Sequence, residues 1–192
     1  MRIARLVVML GVGGSSLLLW GPASIGAPVC TQTGTPGADV MNGTAGADVL
    51  CGLGGDDQLR GRGGNDILRG GAGHDFLSGG AGDDRLRGSR GRDTMIGGIG
   101  NDVMRGGIGA DDGDGGRGDD RMYGGETGDS TLYGGAGGAD LVFGGPGHDA
   151  CLATVDGSGN DAVSGGLGTD RYFIDDGDAH TSAEIEGPCF AE

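Results

Sequence analysis

The 192-residue chain contains no lysine, only 5 prolines and only 4% aromatic residues. With so little bulky apolar surface, a conventional core cannot offset the entropy of ordering 50 glycines. Collagen is excluded as well, because the glycines do not recur at every third residue and proline is scarce. All 13 basic residues are arginine and are outnumbered by 28 acids, for a net charge of −15. Such a chain lacks the positive field that phosphate binding needs, which argues against a nucleic-acid partner and favours cations. Neither G-x-S-x-G nor H-E-x-x-H occurs, so no motif for a nucleophilic or zinc hydrolase is present and an enzyme is not expected.

The chain opens with Arg2 and Arg5, an apolar stretch from Leu6 to Trp20, and then small residues and breakers to Ala27. This layout reads as a secretory signal peptide over residues 1–27, cut after Ala23 or Ala27. The apolar run is short and contains glycine, which disfavours a membrane anchor, and no stable membrane insertion is expected. Removing residues 1–27, which carry two arginines and no acid, takes the charge from −15 to −17. Four cysteines remain, Cys30, Cys51, Cys151 and Cys189. Their even number in an exported chain implies two disulfides. Of three possible pairings, Cys30–Cys51 with Cys151–Cys189 is favoured, since each closes one end of what lies between.

What lies between is a repeat of nine. Ten units run in one frame from Gly34 to Tyr123, from GTPGADVMN through GGAGHDFLS and GGIGNDVMR to GGRGDDRMY. Glycine holds the first and fourth positions in all ten, and aspartate the sixth. The eighth is Leu or Met in nine of ten, with Gly113 the exception. The register then loosens. Units 124–133 and 134–143 have ten residues each, with Ser130 read at the aspartate position of the first. Unit 144–152 is read as regular, residues 153–155 as an insertion, and units 156–164 and 165–173 close the array.

A strict short repeat implies a solenoid, because each unit buries its apolar face only against its neighbours. The first six positions are turn chemistry. The last three form a very short strand whose middle residue faces inward. Two units make one coil, and about seven coils stacked at roughly 4.8 Å span roughly 35 Å. Units eighteen residues apart then lie above one another. Asp39, Asp57, Asp75, Asp93 and Asp111 line one edge, and Asp48, Asp66, Asp84, Asp102 and Asp120 the other. Carboxylates stacked this closely repel unless a cation lies between them. Ca²⁺ suits such gaps because it takes six to eight hard oxygen ligands in flexible geometry, whereas transition metals want His or Cys. Gly113 is expected to leave a hole in the core. His74 and His148 fall at the variable fifth position and are read as turn residues.

The pattern GGxGxDxUx, met at every defined position by GGAGHDFLS and GGIGNDVMR, resembles the repeats-in-toxin, or haemolysin-type calcium-binding, family. The resemblance covers nearly all of residues 34–173. It implies an all-β fold, a right-handed parallel β-roll (a β-solenoid with two repeats per coil), with Ca²⁺ held by aspartate carboxylates and turn carbonyls. Carried over position by position, it selects the ten aspartates above together with Asp140, Asp149, Asp161 and Asp170. Residues 28–33 and 174–192 are then end caps, with Ile185 and Phe190 covering the last coil. Many family members carry a large effector domain and a C-terminal export signal. This chain has no room for the first and an N-terminal signal in place of the second. The resulting expectation is a secreted, extracellular, non-enzymatic calcium-binding module with a structural or adhesive use at a cell surface or matrix. The alternative is an accessory or fragment of a secreted hydrolase.

Overall fold

The structure is a computed structural model describing residues 28–129, 131–154 and 161–174 and the backbone of 179–180. The signal segment 1–27, Ser130, Ile185, Cys189 and Phe190 lie outside the described residues.

The described residues contain no helix. Seventeen strands alternate between two parallel sheets, so each strand pairs with those one coil away. One sheet takes the odd strands, from β1 (Gln32–Thr33) through β3 (Val49–Gly54), β5 (Ile67–Ala72), β7 (Arg85–Arg90), β9 (Val103–Ile108), β11 (Arg121–Gly125), β13 (Leu141–Pro146) and β15 (Ala162–Leu167) to β17 (Ala179–His180). The other takes the even strands, from β2 (Val40–Asn42) through β4 (Gln58–Gly63), β6 (Phe76–Ala81), β8 (Thr94–Ile99), β10 (Asp112–Arg117), β12 (Thr131–Tyr133) and β14 (Leu152–Thr154) to β16 (Tyr172–Ile174). This is a parallel β-solenoid with two repeats per coil.

The strands are longer than the three residues expected. Most run six, from the seventh position of one repeat to the third of the next. The physical reason is that a parallel ladder extends as long as the next coil offers partners. The first three positions of a repeat, assigned to the turn from their composition, meet the same positions of the repeat eighteen residues on, as in Ser89↔Gly107 and Arg90↔Ile108. Side chains alternate along these strands, with the eighth and first positions inside and their neighbours out.

The core is two files of residues, the eighth of each regular unit and the equivalent residue of each loosened one. Leu50, Leu68, Leu86, Met104, Met122, Val142 and Val163 align in one sheet. Met41, Leu59, Leu77, Met95, Gly113, Leu132, Leu152 and Tyr172 align in the other. All but Gly113 belong to one buried cluster. The hole expected at Gly113 does not form, because the Met122 sulfur and a Leu132 methyl fill the space that a side chain there would need. Methionine's three rotatable bonds allow this.

Segment 28–33 continues the stack. Its Gln32–Thr33 pairs with Leu50–Cys51, and Cys30 is disulfide-bonded to Cys51. Cys151 is also disulfide-bonded.

Candidate metal centre

The sixth-position aspartates point inward from the turns. Asp57, Asp66, Asp75, Asp84, Asp93, Asp102, Asp111 and Asp120 are each at most 2% exposed. The first-position glycine makes this possible. A Cβ on Gly79 would strike the Asp84 carboxylate, so glycine is needed for the close approach rather than for a special backbone angle.

Each aspartate is bound to the next coil. The backbone N–H of one donates to Oδ1 of the aspartate one coil further on, at 2.7–3.1 Å, in thirteen successive bonds. One ladder runs Asp39, Asp57, Asp75, Asp93, Asp111, Asp129, Asp149, Asp170. The other runs Asp48, Asp66, Asp84, Asp102, Asp120, Asp140, Asp161. All fourteen aspartates selected from the sequence therefore join a ladder, including the four in the loosened segment.

Asp129 is a fifteenth member, and the reading of Ser130 at its place is corrected. In this unit the extra residue falls between the aspartate and the strand, so Asp129 precedes core residue Leu132 by three positions instead of two. Unit 144–152 carries the same shift. Leu152, not Cys151, enters the core file, paired with Leu132 and Tyr172. The signal was present in the sequence, since Asp129 is the sixth residue counted from Gly124.

The second carboxylate oxygen is the chemically informative atom. Oδ2 of Asp57, Asp66, Asp75, Asp84, Asp93, Asp102, Asp111, Asp120 and Asp129 is buried with no hydrogen-bond partner. A buried acceptor in this state costs about 1–3 kcal/mol, and more if charged. Burial pushes Asp84, Asp93, Asp120 and Asp129 up to about 7, and Asp102 and Asp149 up to about 6. The N–H donated by the preceding aspartate opposes this shift, and neighbouring carboxylates add to it in all six.

The turn carbonyls complete an oxygen-only donor set. The fourth-position glycines from Gly55 to Gly118 have positive φ, +135° at Gly73 and +124° at Gly91. Their carbonyls face the next coil, so that a Cβ on Gly91 would strike the carbonyl oxygen of Gly73. Among the described residues no cluster of three or more His, Cys, Asp or Glu side chains could hold a metal. A cation in these gaps would thus be held by one carboxylate per turn plus carbonyls. That is the hard-oxygen environment Ca²⁺ accepts, and not the nitrogen and sulfur set of a transition metal.

Asp39 and Asp48, in the first coil, differ. Their Oδ2 atoms accept from the backbone N–H of Thr35 and Thr44 at 2.6 Å and from the hydroxyls of the same threonines at 2.9 Å. The Thr44 bonds hold the Asp48 carboxyl below its ordinary range.

The sequence reading also missed an outer ladder at the fifth position. Side chains of Asp56, His74, Asn65, Asp83, Asn101 and Asp119 accept from the fifth-position N–H one coil on, at 2.8–3.1 Å. His148 does the same for Thr169 at 2.9 Å. Both histidines are therefore turn residues, bonding coil to coil.

Comparison with curated proteins finds no match. The profile of the RTX calcium-binding nonapeptide repeat, four copies long, matches residues 33–68, 52–86, 60–95, 78–113 and 114–151. Those segments span more than half of the chain and contain both aspartate ladders up to Asp149, and the chain belongs to the RTX calcium-binding repeat family.

Proposed function

We propose that this protein is a secreted, non-enzymatic calcium-binding β-roll in which Ca²⁺ lies between successive coils along both turn edges. The ligands are the Oδ2 atoms of the sixth-position aspartates from Asp57 and Asp66 onward, Asp129 included, with the fourth-position glycine carbonyls. One observation carries this reading, the row of buried carboxylate oxygens that no protein donor satisfies. A divalent cation in each gap removes the repulsion and the unmet acceptors together. Its binding to the folded state alone then drives folding.

Export is supported by the N-terminal segment and by the disulfide Cys30–Cys51, which an oxidising compartment preserves. A rigid stack whose order depends on calcium suits a structural or adhesive use outside the cell. The test is equilibrium dialysis of the mature chain against buffered Ca²⁺, with metal analysis. Several ions per chain are expected, and fewer in Asp102→Asn, which removes a ligand from the gaps on both sides of one coil. Failure to take up calcium would overturn the proposal.

A further inference from the structure

The fourteen aspartates expected as ligands do not form one class. In the first coil the repeat reads GTPGAD and GTAGAD, with threonine at the second position. Both threonines do the same thing. Each donates its backbone N–H and its hydroxyl to Oδ2 of its own aspartate. Oδ1 of Asp48 gains a further donor, the hydroxyl of Thr31, at 3.3 Å. The backbone follows the side chain. In the next three repeats on the same edges the second position has positive φ, +82° at Leu53, +80° at Arg62 and +125° at Gly71, and Thr35 and Thr44 do not. The first turn on each edge is therefore wound differently, and it closes on its own carboxylate. Asp39 and Asp48 are correspondingly absent from the row of unsatisfied oxygens that begins at Asp57 and Asp66.

We propose that the first coil is a metal-independent end to the array, in which Thr35 and Thr44 take the place that a cation holds for every later aspartate, so that Asp39 and Asp48 are not calcium ligands. This rests on the calcium-bound reading of the later coils. Its physical basis is local. Among the described residues no strand precedes the Asp39 turn in its sheet, and the segment that precedes the Asp48 turn offers the Thr31 hydroxyl in place of an aspartate, so an ion at either would be shared by fewer carboxylates. Two charge-assisted hydrogen bonds from within the same turn satisfy the carboxylate without an ion. Together with the Cys30–Cys51 disulfide, which ties the entering chain to the second turn, they give the stack a defined end. Calcium-bound coils then stack upon it.

The test counts ions. The mature chain, with its disulfides formed, is dialysed against buffered Ca²⁺ and its metal content measured for wild type and three double variants. Asp39→Asn/Asp48→Asn is expected to bind as many ions as wild type. Asp84→Asn/Asp93→Asn is expected to bind at least two fewer. Thr35→Gly/Thr44→Gly restores the repeat found further on and is expected to bind two more. Amide exchange of Thr35 and Thr44 in the calcium-loaded wild type is expected to be slow, which ion occupancy by itself would not produce. Equal losses in the two aspartate pairs, or an unchanged count in the threonine variant, would overturn the inference. A wild-type chain that binds no calcium would instead remove the reading of the whole roll, so the two failures are distinguishable.

Discussion

Removing calcium at neutral pH should unfold the roll, and lowering the pH should partly restore it. Asp84, Asp93, Asp120 and Asp129 are pushed from 3.8 to about 7 by burial and neighbouring charge. A rise of that size amounts to about 4 kcal/mol for every one of them held buried and ionised without a cation. Four such groups already match or exceed the whole stability of an ordinary domain, about 5–15 kcal/mol. Between pH 3.8 and about 7 the folded chain binds more protons than the unfolded chain, so metal-free stability falls as pH rises through that window. Below it both states are protonated and the penalty vanishes. The assay is far-ultraviolet circular dichroism on the mature chain in three buffers. With Ca²⁺ at pH 8 the β signal should be full, with EGTA at pH 8 it should be lost, and with EGTA at pH 5.5 a substantial part should return. Calcium affinity should weaken as pH drops below about 7, because protons compete for the same oxygens. A full β signal in EGTA at pH 8 would refute the reasoning, since the carboxylates would then be buried and charged without cost.

Three further outcomes follow from the backbone and the core. Arg62 and Ser89 sit at φ +80° and +98°, a region that costs a side-chain-bearing residue about 1–2 kcal/mol. Arg62→Gly and Ser89→Gly should therefore each raise the thermal midpoint in saturating Ca²⁺, by a net 0.5–1 kcal/mol or about that after the entropy of glycine is counted, and a fall would count against the strain. Gly79→Ala places a methyl against the Asp84 carboxylate and the Gly97 carbonyl. It should lower stability by about 1–3 kcal/mol and weaken calcium uptake in the same coil, measured by melting and by titration. Cys30→Ser opens a loop between residues 21 apart in sequence. It should cost about 3 kcal/mol, seen as a lower denaturation midpoint in guanidinium, and an unchanged midpoint would mean that the first coil is held by its hydrogen bonds alone.

Most of this architecture was legible because one period governs it. Glycine at the first position, aspartate at the sixth and Leu or Met at the eighth place the inward carboxylates and both core files without reference to coordinates. What escaped the sequence was what depends on the neighbouring coil. The first three positions of a repeat look like a turn in isolation and become strand only when the same positions of another repeat lie alongside. Met122 fills the space at Gly113 from the opposite sheet, a contact that no pattern within one repeat announces. At Asp129 the extra residue could be placed before or after the aspartate. The N–H of Asp111 donates to Asp129, which places the extra residue after the aspartate. The threonines at 35 and 44 read as ordinary variation at the second position, and only their hydrogen bonds distinguish them.

The two ladders also account for why such a thin core can behave as one unit. The inner ladder runs from the N–H of one coil to the carboxylate of the next, as in Asp75 to Asp93 at 2.9 Å. The outer ladder at the fifth position runs the opposite way, from the later coil back to the earlier, as in Asn101 to Asp83 at 2.9 Å. Where both ladders are present, from Asp56 and Asn65 onward, an interface is clamped in both directions along the same turn, and a coil there cannot lift away without breaking bonds of both kinds. A cation joining two turns adds to the same clamp. Opening one interface then exposes carboxylates on both sides of it, which raises the cost of keeping the next one closed. Stability in this stack should consequently be lost over several coils at once, with the loss beginning where ladder spacing departs from eighteen residues, beyond Asp120, and ending at the disulfide-tied first coil. Residue-resolved amide exchange during slow calcium removal should show that order, and opening that starts at the first coil would contradict it.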